Sequence, residues 1–477
     1  MPGRSEMVRR RVIPLSGVLT VVAAVAILLL PQAATRSAVA APAPGANPTA
    51  QPDYEYVYRV ANAVASADKL VSGDFDVMER RDGNDLFVLG TAADGPRLAK
   101  AGFSATVESA RPAASWTPPK PRLSNDHLSP ADVGETYYGG YHTVNAQYAH
   151  LDQAAAQHPD LATTVTYGQS WLKSQGRGGY DLRAICITKK QAGDCQLNPN
   201  SAKPRFFLMS QIHAREITTG DVSWHWVDYL VNGYGTDNTV KALLDSTELW
   251  VVPVVNPDGV DIVQQGGNSP KLQRKNADGD PARCTVSGGQ LGVDLNRNNG
   301  SHWGGASTST GVCNEVYRGP SQDSEVEDTA LQKLFTQLWP ARRGTGVGDP
   351  APADTRGVMM TLHSDASLVL YPWGYDSTVH TGNDASLRAM AKQMGTITHY
   401  DYGQPGAVLY DASGTTDDWS YDKLGVASFT IEVGDETNGG CGGFLPPHSC
   451  QDSFFWPKMM PALVYAAQQA PAPYANH

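Results

Sequence analysis

Five stretches of nearly unbroken apolar and β-branched residues recur from residue 182 onward: LRAICIT (182–188), RFFLMSQIH (205–213), LWVVPVVN (249–256), GVMMTLHS (357–364) and ASFTIEVG (427–434). A strand with no polar alternation is buried on both faces, so strands of this kind need helices above and below them. Helical patterns lie between them in DVSWHWVDYLVNG (221–233), EVEDTALQKLFTQL (325–338) and SLRAMAKQM (386–394). Another begins at Thr143, a capping residue followed by Val144, Tyr148 and Leu151 on one face. Strands alternating with helices predict an α/β domain with a mixed, mostly parallel central sheet flanked by helices.

The residues before that domain read differently. YEYVYRV (54–60) and DLFVLG (85–90) suit strands and ANAVASADKLVS (61–72) suits a helix, giving a small α+β unit that ends near Val107. The Pro- and Ser-rich stretch 108–134 follows as a linker, with Arg111, Lys120 and Arg122 open to a trypsin-like protease where it is extended. At the start, Arg4, Arg9, Arg10 and Arg11 precede an uncharged run from Val12 to Leu30, and Ala38-Val39-Ala40 supplies a small-x-small cleavage pattern. A run of about 19 residues could also span a bilayer as an anchor. Pro14 and the Ala/Pro-rich residues that follow favour a cleaved export signal, with the export route left open. The expected organisation is a signal at 1–40, a segment holding the small α+β unit at 41–107, a linker at 108–134 and the large domain at 135–477.

The formal net charge is −11, and residues 1–40 carry five Arg against one Glu, a net +4, so the remainder carries −15. An acidic surface of this kind disfavours nucleic acid as a partner. With the signal removed, no stable membrane association is expected, and the chain is expected to be monomeric and extracellular. The six cysteines form three sequence-near pairs, Cys186 with Cys195, Cys284 with Cys313 and Cys441 with Cys450. In an exported chain an even count reads as disulfides, and the nearest-neighbour pairing is a preference among 15 connectivities. None of the pairs has CxxC spacing, which argues against a cysteine zinc site.

In an open α/β sheet ligands gather beyond the carboxyl ends of the strands. Three of the predicted strands end there in titratable groups: His213 with Glu216, then His363, then Glu432. Two imidazoles and one carboxylate leave a fourth tetrahedral position open, the arrangement a hydrolytic zinc site requires. NADGD (276–280) lacks the remaining ligands of a calcium loop. His225, His302, His380, His399 and His448 show no convergent partners in the sequence.

HAREITTG (213–220), GVDLNRN (292–298), TLHSDASLVLYPWGY (361–375), LYDASGTTDDW (409–419) and FTIEVGD (429–435) resemble, in order, the zinc carboxypeptidase family of carboxypeptidases A and B. The resemblance spans most of 137–460. It implies one Zn(2+) per catalytic domain held by His213, Glu216 and His363, and Glu432 as general base on water at the zinc. It implies that Arg274 polarises the scissile carbonyl and holds the oxyanion. Asn296 and Arg297 match the pair that binds the substrate's terminal carboxylate, Tyr410 the tyrosine that closes over it, and Arg215 a subsite arginine. Asp417 falls where carboxypeptidase B types carry an acid at the base of the side-chain pocket, whereas Leu370, Pro405, Leu409 and Ala412 around it are apolar. The implied substrates are peptide or protein C-termini with a basic, or a basic or hydrophobic, last residue.

The small unit at 53–107 resembles the pro-segments of these enzymes, which cover the cleft until a processing protease releases activity. The Cys284/Cys313 pair brackets GVDLNRN as a disulfide does in several family members. The chain departs from the family where Asp365 replaces an aromatic after Ser364, where 433–450 is longer, and at an inserted loop, 340–356. Two other readings of the same residues are a peptidoglycan stem-peptide hydrolase on this fold and a non-catalytic binding member.

Overall fold

The computed structural model describes residues 54–113, 129–279, 284, 290–435 and 440–475. The expected signal (1–40) and residues 114–128 of the expected linker (108–134) lie outside the described residues. The N-terminal unit is a four-stranded sheet of β1 (Tyr54–Val60), β2 (Asp76–Asp82), β3 (Asp85–Gly90) and β4 (Ala105–Pro112), in the order β2-β3-β1-β4. β4 pairs with β1 as far as Pro112, so the unit runs beyond the expected end at Val107. The expected helix at 61–72 is narrower, a 3-10 turn at Val64–Ser66 followed by α-helix at Ala67–Ser72. β2, with the sequence DVMERRD, has no apolar pattern that marks it as a strand, and its charges are answered elsewhere in the molecule.

A two-stranded ribbon, β5 (Thr136–Tyr137) and β6 (Tyr141–His142), leads into the large domain. Its sheet contains β7 (Ala162–Gln169), β8 (Asp181–Ile187), β9 (Arg205–Ser210), β10 (Glu248–Val252), β11 (Val358–His363), β12 (Leu368–Leu370), β13 (Asp401–Gly403) and β14 (Ala427–Glu432). The spatial order is β13-β12-β14-β11-β9-β10-β8-β7. The run β14-β11-β9-β10 is parallel, as expected, and β7, β8 and β12 add antiparallel pairings, so the sheet is mixed. Every residue of β9, β10, β11 and β14 is buried, which is the physical content of their continuous apolar sequences.

One face of the sheet packs on helices Val144–Gln157, Ile217–Gly233, Asp384–Thr398 and Trp456–Gln469, with Trp226, Leu230, Met390 and Leu463 in the core. The other packs on Val326–Leu338 through Phe207, Trp250, Leu334 and Phe335. Thr143 caps its helix through Ala146 N. The three nearest-neighbour disulfides form, and Cys186–Cys195 ties β8 to the loop before β9. The loop at 340–356 winds around Arg343, whose guanidinium donates to the carbonyls of Gly346, Val347 and Asp349 and to Asp422. No helix among the described residues is long and apolar enough to cross a membrane.

The start of the helix Val326–Leu338 carries an unusual load of buried acid. Glu325 and Glu327 accept from Asn276 Nδ2 at 2.7 and 3.3 Å, and Glu327 also accepts from Trp171 N. Asp258 accepts from Ser170 Oγ and Leu172 N at 2.8 Å each. Burial pushes Glu325 and Asp258 up to about 7 and Glu327 to about 8. Folded-state values above the unfolded ones mean that the folded chain holds protons the unfolded chain has released. Their contribution is therefore present at acidic pH and is lost as pH rises through 7 to 8. Glu327→Gln, which mimics the protonated acid, is expected to leave Tm near the wild-type value at about pH 5 and to raise it by roughly 2–4 °C at about pH 9. Thermal melts across pH check this; parallel curves for the two proteins would contradict it.

Candidate active site

β9 ends at Ser210, and the chain then turns through Gln211 and Ile212 to place His213 and Glu216 at the mouth of the sheet. The turn is held from outside: Ala214 N donates to Arg274 O, and Asn256 Nδ2 donates to Ile212 O and Arg274 O. Glu216 is the first flanking residue of helix Ile217–Gly233, yet its carboxylate does not cap that helix. It faces the imidazoles instead.

His363 arrives at the end of β11, the strand beside β9, and Glu432 at the end of β14, where it pairs in register with His363. His213 Nδ1 lies 2.7 Å from Glu216 Oε1 and 3.1 Å from His363 Nδ1, and His363 Nδ1 lies 3.2 Å from Glu216 Oε2. The potential ligand atoms of His213, Glu216 and His363 fall within 4.8 Å of one another, and all three residues are buried. This is the one group of three or more such donors among the described residues. Glu216 Oε2 is buried without a hydrogen-bond partner, so the donors fit a cation held between them. Two imidazoles and a carboxylate suit zinc.

The electrostatics agree with that fit. Burial lowers His363 to about 4, favouring the neutral, ligating imidazole. Burial, then the carboxylates of Glu216 and Glu79, push Glu432 well above the usual carboxylate range. On the far side of His213, Asp294 Oδ1 is 3.3 Å from Nε2, the kind of partner that fixes a ligating imidazole's orientation. Asp294 Oδ2 accepts from Arg274 Nε at 2.9 Å, so one carboxylate positions both groups. Burial opposes its ionisation, but Arg274 and His213 outweigh burial and hold Asp294 well below its ordinary value.

The remaining expected residues are all buried. Asn296 and Arg297 lie in the short helix Leu295–Asn298 that follows Asp294. Asn296 Oδ1 accepts from Thr416 N and Oγ1, and Arg297 Nε donates to Ser307 O. Gly414 has φ +73, and a Cβ there would sit 2.4 Å from Arg297 O, so the loop presses directly against the arginine backbone. Asp417 is buried near the start of helix Thr416–Leu424 and accepts from Thr430 Oγ1 and Asp418 N at 3.0 Å. Its neighbour Asp418 accepts from Gly374 N and Tyr375 N. Tyr410 is buried beneath the N-terminal unit.

Several participants escaped the sequence reading. Asp294 carried a legible signal, since it stands two residues before Asn296 within GVDLNRN. Glu315, which pairs with Arg215 at 2.7 Å, carried none. His448 does find partners: its Nε2 and the Nδ1 of His142 each lie 3.1 Å from the carboxylate of Asp221. The largest omission is on β2, where Asp76 pairs with Arg215 at 2.9 Å and Glu79 lies 3.7 Å from Arg215 and pairs with Arg274. Burial would raise Glu79, but Arg274 and Arg215 together outweigh it and hold the carboxyl at about 2.

A mixed eight-stranded sheet with a two-imidazole, one-carboxylate centre at its carboxyl edge defines a zinc-dependent hydrolase of the carboxypeptidase type. The family model described as "Zinc carboxypeptidase" matches residues 147–454. The chain belongs to the zinc carboxypeptidase family.

It is 31% identical to Carboxypeptidase B of Rattus norvegicus over 332 residues, 68% of this chain and 69% of that protein. It is 29% identical to Carboxypeptidase A2 of Mus musculus over 316 residues, 65% of this chain and 66% of that protein. The chain thus spans about two thirds of the length of these relatives. Among solved structures, the fold is similar to thrombin activatable fibrinolysis inhibitor (TAFI), with TM-score 0.62 at 22% identity over 88% of this chain and 99% of that one. It is also similar to Carboxypeptidase A from Helicoverpa armigera, with TM-score 0.64 at 23% identity over 88% and 98%.

Proposed function

We propose that this chain is a secreted zinc metallocarboxypeptidase that hydrolyses the C-terminal peptide bond of peptides and proteins. The observation that carries this reading is the meeting of His213, Glu216 and His363 within 4.8 Å, with Glu432 in register beside His363. A zinc ion bound there would polarise a carbonyl and bring the pKa of water down to about 7. Glu432 is near the ligands without being among them, as a general base must be, and it returns the proton to the leaving amine. Arg274, steered by Asp294, supplies positive charge where the scissile carbonyl becomes an oxyanion. Arg297 offers a planar fork to the substrate's terminal carboxylate, with Asn296 beside it and Tyr410 closing from above. Internal peptide bonds present no such carboxylate, and this makes the enzyme an exopeptidase.

Asp417 is buried, and no ion pair to it is found among the described residues, which suits a C-terminal Lys or Arg entering the pocket. The apolar positions Leu370, Leu409 and Ala412 are also buried, so bulky hydrophobic residues fit as a second class. Asp417→Ala is expected to lower kcat/KM for blocked dipeptides ending in Lys or Arg by about 10²-fold and to leave those ending in Phe or Leu within roughly threefold. A kinetic panel of such peptides checks this; an unchanged profile would remove Asp417 from the pocket.

The N-terminal unit acts, on the same proposal, as an inhibitory pro-segment. Asp76 and Glu79 occupy the two arginines that a substrate needs, and Arg81 Nη1 donates to Ala407 O and Leu409 O in the loop leading to Tyr410. Cleavage in the expected linker, 108–134, would release it. Three disulfides fit an extracellular setting.

A further inference from the structure

Glu432 Oε2 is buried without a hydrogen-bond partner, so no bond to that oxygen fixes the side chain, and its place depends on the backbone that carries it. Glu432 is the last residue of β14, flanked in register by His363 on one side and Leu368 on the other. Val433 N still donates to His363 O at 2.7 Å. Gly434, one residue further, lies beyond the paired strand, yet it is held twice over. A Cβ there would meet Asp365 O at 2.4 Å and Ser367 Oγ at 2.7 Å, so the chain that follows His363 presses directly on it. Its two backbone groups are taken up by a single hydroxyl: Tyr400 Oη donates to Gly434 O at 2.8 Å and accepts from Gly434 N at 3.1 Å.

A buried peptide unit beyond the end of a sheet must find partners elsewhere, and here both come from one side chain. That side chain is itself placed by a helix end. The helix Asp384–Thr398 stops with His399 in the left-handed region, at φ 60, and Tyr400 N closes onto Gly395 O at 3.0 Å. A Cβ on Gly395 would lie 2.7 Å from Tyr400 O, so glycine is what lets the chain fold back there. The Tyr400 ring is buried, with Lys458 Nζ 4.9 Å from its centroid. The phenol thus reaches Gly434 from a rigid, packed element that carries none of the metal donors.

We propose that Tyr400 is a positioning residue for the hydrolysis: its hydroxyl pins Gly434 and so holds the Glu432 carboxylate where it can take and return a proton. This rests on the carboxypeptidase reading and adds a residue to its machinery. Tyr400 acts through two residues of backbone and touches neither substrate nor metal donor. A misplacement of about 1 Å at a reacting group can cost about 10²-fold in rate, so a clamp two residues away is enough to matter.

The test uses the full chain after limited trypsin digestion in the linker, with a blocked dipeptide ending in Lys. Tyr400→Phe keeps the ring and removes the hydroxyl. It is expected to lower kcat by about tenfold or more and to leave KM within about twofold, with zinc content unchanged. p-Aminophenylalanine at position 400, which restores a donor to Gly434 O, is expected to bring kcat back to within about threefold of wild type. An unchanged kcat in the Phe variant, a joint fall of kcat, KM and zinc content, or no recovery in a folded p-amino variant overturns the proposal and leaves the carboxypeptidase reading standing. Should the Phe variant not fold, hydrogen exchange on the wild type decides: a Gly434 amide that exchanges as slowly as that of Ile431, inside β14, supports the clamp, and fast exchange overturns it. If the wild type cleaves no peptide, the carboxypeptidase reading falls, and crystal structures of wild type and Tyr400→Phe decide the proposal. A Glu432 carboxylate displaced by about 0.5 Å or more supports it, and an unmoved one overturns it.

Discussion

Glu432→Gln is expected to lower kcat for a peptide ending in Lys by about 10³-fold while the metal content and the fold persist. The amide has the shape of the carboxyl but cannot accept a proton from water. Metal analysis and a thermal melt on the same preparation separate loss of chemistry from loss of structure. Retention of more than about a tenth of wild-type kcat would show that another group carries the proton. The non-catalytic reading gains instead if the wild-type protein binds no zinc and cleaves no peptide, so that the substitution changes nothing.

The second large effect concerns the unprocessed chain. Asp76→Ala with Glu79→Ala is expected to raise the activity of the intact, unnicked protein by about 10²-fold or more. Arg215 and Arg274 are fully buried, and removing one partner of a buried ion pair costs about 3–5 kcal/mol. In this case the cost falls on the covered state, because uncovered arginines regain water or meet substrate. Arg215 keeps Glu315 at 2.7 Å and Arg274 keeps Asp294 at 2.9 Å, so the cleft itself stays organised when the two acids go. Assay of the intact variant against the intact wild type, with electrophoresis to exclude nicking, reads the effect. Equal basal rates would mean that apolar contacts such as Met78 and Phe87 on Phe444 suffice to keep the unit seated.

The central strands and the site at their ends were legible in the sequence for one physical reason. β9, β11 and β14 are buried on both faces, so their sequences are continuously apolar and the first polar residues after them mark the sheet edge. His213, Glu216, His363 and Glu432 stand at that edge. What the sequence concealed depends on partners far away in the chain. β2 reads as a charged loop because Asp76 and Glu79 are satisfied only by Arg215 and Arg274, more than a hundred residues on. β12 and β13 have three residues each, too few to show a period. Asp221 looks like a surface acid at a helix start, and only the fold brings His142 and His448 to it.

Arg81 clasps two carbonyl oxygens in the loop that carries Tyr410, and the neighbouring residues of its own strand plug the arginines of the cleft. Uncapping and loosening of the tyrosine are consequently one mechanical event. On the proposed reading, the zymogen passes from silent to competent in a single kinetic phase, with no half-open species in which the entrance is clear but the flap is still tethered.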